Sequence, residues 1–177
     1  MRKFMVLACV LALFAVSAMA AETGSYPKAE FFGGYQYTHS SVNGSGYGTN
    51  GFDFALNGNF NNYFGITADF GAGYTTQSGV SLRNYTYTFG PQLSLRANKA
   101  YTPFVHALIG GDRMSASLGG TSLGSNNGWA TMIGGGADFN FSQHMAFRGG
   151  ADWLLLHSNG VSQNKNVRMV TGIVFKY

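Results

Sequence analysis

From Phe52 to Phe60 the chain reads "FDFALNGNF", and its large apolar residues fall on alternate positions: Phe52, Phe54, Leu56 and Phe60. Asp53, Ala55, Asn57 and Asn59 take the other parity. Side chains of an extended strand alternate between two faces, so a period of two separates an apolar face from a small polar one. A helical period of 3.6 would scatter the same residues around the axis. The pattern recurs over 63–74, where Phe64, Ile66, Ala68, Phe70 and Tyr74 oppose Gly65, Thr67, Asp69, Gly71 and Gly73. It recurs again over 84–95, where Tyr85, Tyr87, Phe89, Leu93 and Leu95 oppose Thr86, Thr88, Gly90, Gln92 and Ser94. With the less regular segments, strands are expected over 29–38, 52–60, 63–74, 84–95, 101–114, 129–141, 145–156 and 166–177.

The connections carry the second constraint. Short ones, "NN", "RANKA" and "SQH", alternate without exception with long polar ones, "HSSVNGSGYGTNG", "TTQSGVSLR", "SASLGGTSLGSNNG" and "HSNGVSQNK". Strands joined this way are antiparallel neighbours, with all long connections at one end and all short turns at the other.

The N-terminus stands apart. Arg2 and Lys3 precede an apolar run from about Phe4 to Val16, and Ala18-Met19-Ala20 ends it in a small-residue cleavage pattern. This reads as a secretory signal peptide over 1–20. The run is short of the ~20 apolar residues that a membrane-spanning helix needs. A lipoprotein-type cleavage before Cys9 would leave almost no apolar region ahead of it, so Cys9 reads as one more apolar residue of the leader. A short periplasmic segment, 21–28, and a single domain, 29–177, follow. Removing 1–20 from 177 residues leaves 157, and the loss of Arg2 and Lys3 lowers the formal charge from +4 to +2. That balance does not suggest a nucleic-acid partner. The remaining chain has no cysteine, so no disulfide is expected to hold it.

Composition decides which face meets which solvent. Charged residues are 10% of the chain, against a typical ~25%, while Gly (26), Phe (15) and Tyr (10) are abundant. The polar face is built of Gly, Ala, Ser, Thr, Asn and Asp and is poor in Lys and Glu, unlike a surface exposed to water. Small residues suit the narrow, side-chain-filled interior of an eight-stranded barrel. Phe, Leu, Ile and Tyr on the other face, with Trp129 and many Tyr near strand ends, suit an apolar band with aromatic girdles. The fold class expected is all-β: an eight-stranded antiparallel up-and-down transmembrane β-barrel, long connections outside and short turns in the periplasm. The glycine groups at 33–34, 110–111, 134–136 and 149–150 fit tight curvature rather than phosphate loops, since no helix follows them.

The signal peptide, the strand pattern, stretches such as "GNFNNYFGITADF" and "TPFVHALIGG", and the terminal "RMVTGIVFKY" resemble the small eight-stranded outer-membrane barrels. That group includes the transmembrane domain of outer membrane protein A and the porin-like outer membrane protein beta-barrel domain. The resemblance covers the whole chain after the leader. It implies the cell outer membrane as location, and a monomer among outer-membrane lipid and lipopolysaccharide. It also implies that periplasmic chaperones and the outer-membrane insertion machinery handle the chain. Met169, Thr171, Ile173, Phe175 and Tyr177 match the family's C-terminal assembly signal, with Tyr in place of the more usual terminal Phe. No peptidoglycan-binding domain like that of full-length outer membrane protein A is expected beyond Tyr177, so no cell-wall tether is expected.

Charged residues on the inward parity must find partners, because an unpaired buried charge is costly. The expected lumen network is Glu30, Asp53, Asp69, Asp138, Arg148, Asp152, Arg168 and Lys176, with His106 and Asp112 on the same parity. Asp138 and Arg148 are equidistant from residue 143 and are expected to face each other. Glu30 and Lys176 lie at the ends of the strands that close the barrel, and Asp152 and Arg168 on neighbouring strands. Asp53 and Asp69 are placed symmetrically about the "NN" turn, and two carboxylates that close should not both ionise freely unless Arg168 or another base reaches them.

Three function classes follow. The first is a structural or permeability role, with a narrow plugged lumen passing small solutes weakly at most. The second is adhesion or ligand binding through the exposed connections. The third is a lipid A-modifying hydrolase, because Leu156-His157-Ser158-Asn159 resembles the His-x-Ser-Asn motif of outer-membrane lipid A deacylases, though its spacing is wrong by one. Adjacent strand residues point to opposite faces, so His157 and Ser158 cannot pair as base and nucleophile, and no enzyme is expected. His39, His106, His144 and His157 are scattered, so neither a metal site nor a cofactor is expected.

Overall fold

The structure is a computed structural model, and it describes residues 26–42, 45–77, 79–158 and 161–177. Residues 1–20, read as a signal peptide, lie outside it, as do 21–25. Eight strands follow: β1 (Ala29–Val42), β2 (Ser45–Asn59), β3 (Phe64–Gln77), β4 (Val80–Ser94), β5 (Tyr101–Leu118), β6 (Thr121–Asn140), β7 (Met145–Ser158) and β8 (Val161–Lys176). Each pairs antiparallel with the next, and β8 returns to β1, closing the barrel.

The closing seam runs from Ser40↔Asn166 to Glu30↔Lys176. Its last rung is made by main chain: Tyr177 N donates to Ala29 O at 2.9 Å, and Ala29 N donates to Tyr177 O at 3.1 Å. Closure removes the two unpaired edges that an open sheet would expose, and in lipid such edges are untenable.

The strands are longer than the alternation suggests, always at the same end. The β1–β2 ladder continues to Val42↔Ser45, β3–β4 to Gln77↔Val80, β5–β6 to Leu118↔Thr121 and β7–β8 to Ser158↔Val161. Most of each long connection is therefore strand, and only two residues separate the paired strands each time. Those residues read Asn43-Gly44, Ser78-Gly79, Gly119-Gly120 and Asn159-Gly160, the dipeptides favoured in two-residue hairpins. Gly79, Gly119 and Gly120 take φ of 82°, 56° and 88°, which the primed turns need. Hydropathy misses these extensions because both faces meet water there, so the backbone ladder persists while the alternation fades.

At the other end the strands stop earlier. Phe60, Phe141 and Tyr177 lie just past β2, β6 and β8. The turn between β2 and β3 spans Phe60–Tyr63: Phe60 N donates to Phe64 O at 2.9 Å, and Asn61 Oδ1 accepts from Tyr63 N and Phe64 N at 2.8 Å each. The β2–β3 ladder is centred on residue 62, one residue past the midpoint of Asp53 and Asp69. Asp53 therefore pairs with Gly71, and Asp69 with Ala55. The two carboxylates sit two rungs apart rather than opposite each other, which corrects the symmetric placement.

Apolar side chains are turned outward. Phe52, Phe54, Phe70, Phe89, Ile133 and Phe147 are 60%, 55%, 45%, 62%, 55% and 46% exposed. The buried set is mostly polar, including Asp53 at 0%, Asn166 at 0% and Arg168 at 1%. A water-soluble protein shows the reverse order.

The inner face is not uniformly small and polar, however. Leu108, Met132, Leu154 and Leu156 form a buried cluster with Ala130, and Phe32, Val174 and Ala146 a second. Strands β1, β5 and β7 thus carry large apolar residues on both faces, which blurs their alternation.

Candidate functional site: the charged lumen

The inward residues of all eight strands meet in stacked layers. At the centre lies Arg168, supplied by β8. Its Nη1 and Nη2 donate to Asp69 Oδ1 and Oδ2 at 2.9 and 3.0 Å, a two-pronged pair with a residue 99 positions away in sequence. Its Nε donates to Asp152 Oδ2 at 2.9 Å, and Nη1 lies 2.7 Å from Asp53 Oδ2. Nη2 also reaches Met132 Sδ at 3.1 Å. One planar guanidinium thus joins carboxylates of β2, β3 and β7 across the lumen, a geometry that the rigid five-donor fork of arginine suits better than lysine.

His106 of β5 extends this layer, its Nε2 lying 2.8 Å from Asp152 Oδ1. The carboxylate is buried and the histidine partly so, and their bond aligns the ring with the arginine cluster rather than with a nucleophile. His157 stands elsewhere, exposed and opposite Trp129 on the ladder.

Two glycines make room for the cluster. A Cβ on Gly134 would lie 2.1 Å from Asp152 Oδ1, and one on Gly71 would meet Thr86 Oγ1 at 2.6 Å and Arg168 Nη1 at 3.2 Å. Neither backbone conformation demands glycine; the crowding does.

The next layer toward the short turns is Arg148 of β7. It faces Asp138 on the β6–β7 ladder, and the side chains are joined by Nε to Oδ1 at 2.7 Å and Nη2 to Oδ2 at 3.0 Å. The guanidinium lies over the rings of Phe104 and Phe32, at 4.4 and 5.3 Å from their centroids. A desolvated cation over aromatic faces gains from the ring quadrupole, so these inward Phe residues have a polar as well as an apolar role.

The last layer closes the mouth at the short turns. Glu30 and Lys176 are partners on the β1–β8 ladder, yet their side chains bind other groups. Glu30 Oε1 accepts from Arg96 Nη2 at 3.0 Å, and Glu30 Oε2 from Asn57 Nδ2 at 3.1 Å. Lys176 Nζ donates to Asn140 Oδ1 at 2.6 Å and lies 3.8 Å from Asp138 Oδ2. Arg96 is the member that alternation could not find: it lies in the "RANKA" turn and folds back over the mouth. No local signal marks it, because Glu30 and Asn59 belong to β1 and β2, which do not adjoin the β4–β5 turn.

At the opposite end of the lumen, Asp112 is buried on the inward parity of β5. The cavity among Asp53, Asp69, His106, Arg148, Asp152 and Arg168 holds about 20 Å³. That is room for roughly one water molecule. The residues read as an assembly signal point the other way. Met169, Phe175 and Tyr177 are 57%, 42% and 69% exposed on the outer face, and Thr171 and Ile173 share their parity.

A family model described as "Outer membrane protein beta-barrel domain" matches residues 6–172. The chain belongs to that family. Its place is therefore the outer membrane, and the outward apolar band is the surface that lipid covers. No curated protein sequence matches it. Among solved structures, Neisserial surface protein A superposes with a TM-score of 0.74 at 11% identity, over 87% of this chain and 100% of that one. Ail, the attachment invasion locus protein of Yersinia pestis, gives 0.63 at 18% identity, over 86% and 100%. OprG of Pseudomonas aeruginosa gives 0.58 at 10% identity, over 87% and 98%. At such identities the likeness is one of fold.

Proposed function

We propose that this protein is a structural component of the outer membrane whose lumen is closed by its own ion-pair network, passing small solutes weakly at most. The observation that carries this reading is Arg168 bound at once to Asp69 and Asp152, with Asp53 2.7 Å away. A solute path through the lumen would have to break these contacts, and above them it would meet Leu108, Met132 and Leu154. Residues 1–20 act as the export signal, and Met169, Thr171, Ile173, Phe175 and Tyr177 as the mark read by the insertion machinery. The test is conductance in planar lipid bilayers. The wild type is expected to show no steady single-channel steps, and Arg148→Gln with Arg168→Gln to introduce them. Well-resolved openings in the wild type would overturn the closed-lumen reading.

A second reading, surface binding, rests on one hairpin. The β5–β6 ladder runs from Tyr101↔Phe139 to Leu118↔Thr121 and carries exposed Leu118 and Leu123 at its far end, 48% and 59% accessible. Eighteen rungs of about 3.3 Å, tilted by about 40°, rise well above a ~25 Å apolar band. One solved Ail structure holds the heparin analogue sucrose octasulfate, which shows that such a barrel can present a polyanion site. Loss of cell attachment on shortening this hairpin, with unchanged membrane level, would favour this second reading.

A further inference from the structure

Two arginines have no role in the lumen. Arg83 of β4 and Arg113 of β5 are exposed and have the outward parity of Tyr85, Tyr87 and Ile109. Among the described residues every carboxylate side chain is turned inward: Glu30, Asp53, Asp69, Asp112, Asp138 and Asp152 are 7% exposed or less. No acidic side chain described on the outer wall is therefore available to these two cations.

Their position is specific. Tyr85 pairs with Arg113 on the β4–β5 ladder, and Arg83 is the next outward residue on β4, so the two are diagonal neighbours. Such neighbours stand about 7–8 Å apart, close enough for both guanidinium groups to reach one anionic headgroup. Arg113 lies twelve residues along β5 from Tyr101, which marks the periplasmic rim beside Phe139. At about 3.3 Å per residue and a tilt of about 40°, that is a height of about 30 Å, just past a ~25 Å apolar band. Trp129 is one outward row below, opposite Gly111. Tyr87 lies over the same glycine, where a Cβ would meet its ring at 2.6 Å. Tyr74 pairs with Arg83 from the other side. The arginines thus sit on top of the aromatic girdle, at headgroup level, on the face that meets lipid.

We infer that Arg83 and Arg113 form a binding site for the phosphate groups of an outer-leaflet glycolipid, lipopolysaccharide, seated against the β3–β4–β5 wall. The inference rests on the outer-membrane placement of the barrel and is independent of whether its lumen conducts. Arginine suits the task, because its planar fork binds phosphate oxygens in pairs, and a headgroup already at that height brings its own acyl chains to the apolar band below. Juxtamembrane bases attract anionic lipid with a strength that predicts about fivefold weaker binding per arginine removed.

The test uses the folded full chain in detergent micelles, titrated with purified lipopolysaccharide, with the same material after dephosphorylation, and with inorganic phosphate. Heat-modifiable gel migration checks folding. Arg83→Gln and Arg113→Gln singly are each expected to weaken lipopolysaccharide binding about fivefold and the pair about 30-fold. Dephosphorylation should weaken wild-type binding to a similar degree and leave the double variant nothing further to lose. Lys28→Gln with Lys99→Gln, at the opposite mouth, should leave affinity unchanged. Undiminished binding by the double variant, or equal binding of dephosphorylated lipid, would overturn the proposal. Inorganic phosphate binding the wild type as tightly as lipopolysaccharide would also overturn it, pointing to an ion site.

Discussion

Arg168 shows how one residue can organise an interior. It is 1% exposed, its donors bind the carboxylates of Asp69 from β3 and Asp152 from β7, and Asp53 of β2 lies at ion-pair distance. A buried ion pair adds little over a well-packed apolar substitute, but removing one partner alone leaves the others uncompensated. Arg168→Met is therefore expected to destabilise the barrel by about 3–5 kcal/mol, read as a lower urea midpoint for unfolding from lipid. Arg168→Lys should recover part of the loss, because a point charge cannot serve Asp69 through both oxygens and Asp152 at once. An unchanged midpoint for Arg168→Met would show that the cluster fills space without holding the strands.

Among the elements, the β5–β6 hairpin reaches farthest. Its outer part departs from a regular ladder, with a register shift between Ala116 and Ser117. Thr121–Asn127 are exposed on both parities, so neither face has lipid or lumen to pack on. Its hydrogen bonds compete with water, and little apolar burial rewards them. Deleting Ser115–Leu118 and Thr121–Ser125 would keep the Gly119-Gly120 turn and place it on the Met114↔Asn126 rung. The shortened protein is expected to keep heat-modifiable migration and a wild-type urea midpoint within about 1 kcal/mol. A barrel that no longer folds would place a nucleating role in this hairpin.

Closure belongs to the whole molecule. Strands β1 and β8 are the ends of the chain's ladder and meet last in sequence, with Tyr177 bonding the main chain of Ala29 and its ring edge-on to Phe31 at 5.9 Å. The side chain is 69% exposed, so its removal costs little packing in the finished barrel. Its value lies in assembly if the terminal strand is read by the insertion machinery. Tyr177→Ser is expected to slow machinery-assisted insertion several-fold while shifting the urea midpoint by less than about 1 kcal/mol, and Tyr177→Phe to match the wild type. Equal insertion rates for Tyr177→Ser and the wild type would remove the signal from this residue.

The strand pattern, the alternation of turns and the inversion of polar and apolar faces were legible in the sequence, because a strand in lipid must show its solvent on every second residue. Local arithmetic about a tight turn also located Asp138 opposite Arg148, since a hairpin register depends on few residues. The same arithmetic missed by two rungs for Asp53 and Asp69, because the ladder is centred on residue 62 and not on their midpoint, 61. It could not find the two-residue hairpins through hydropathy, although Asn-Gly, Ser-Gly and Gly-Gly marked them. The sequence by itself determined which residues face inward on the regularly alternating strands; the tertiary structure decided the facing of β1, β5 and β7, whose apolar residues fall on both faces, and which inward residues meet. Arg168 reaches Asp69 across the lumen, Arg96 leaves its turn to take Glu30, and Lys176 passes its ladder partner for Asn140. These are distances across a ring, set by strand number and curvature, and no one-dimensional period carries them.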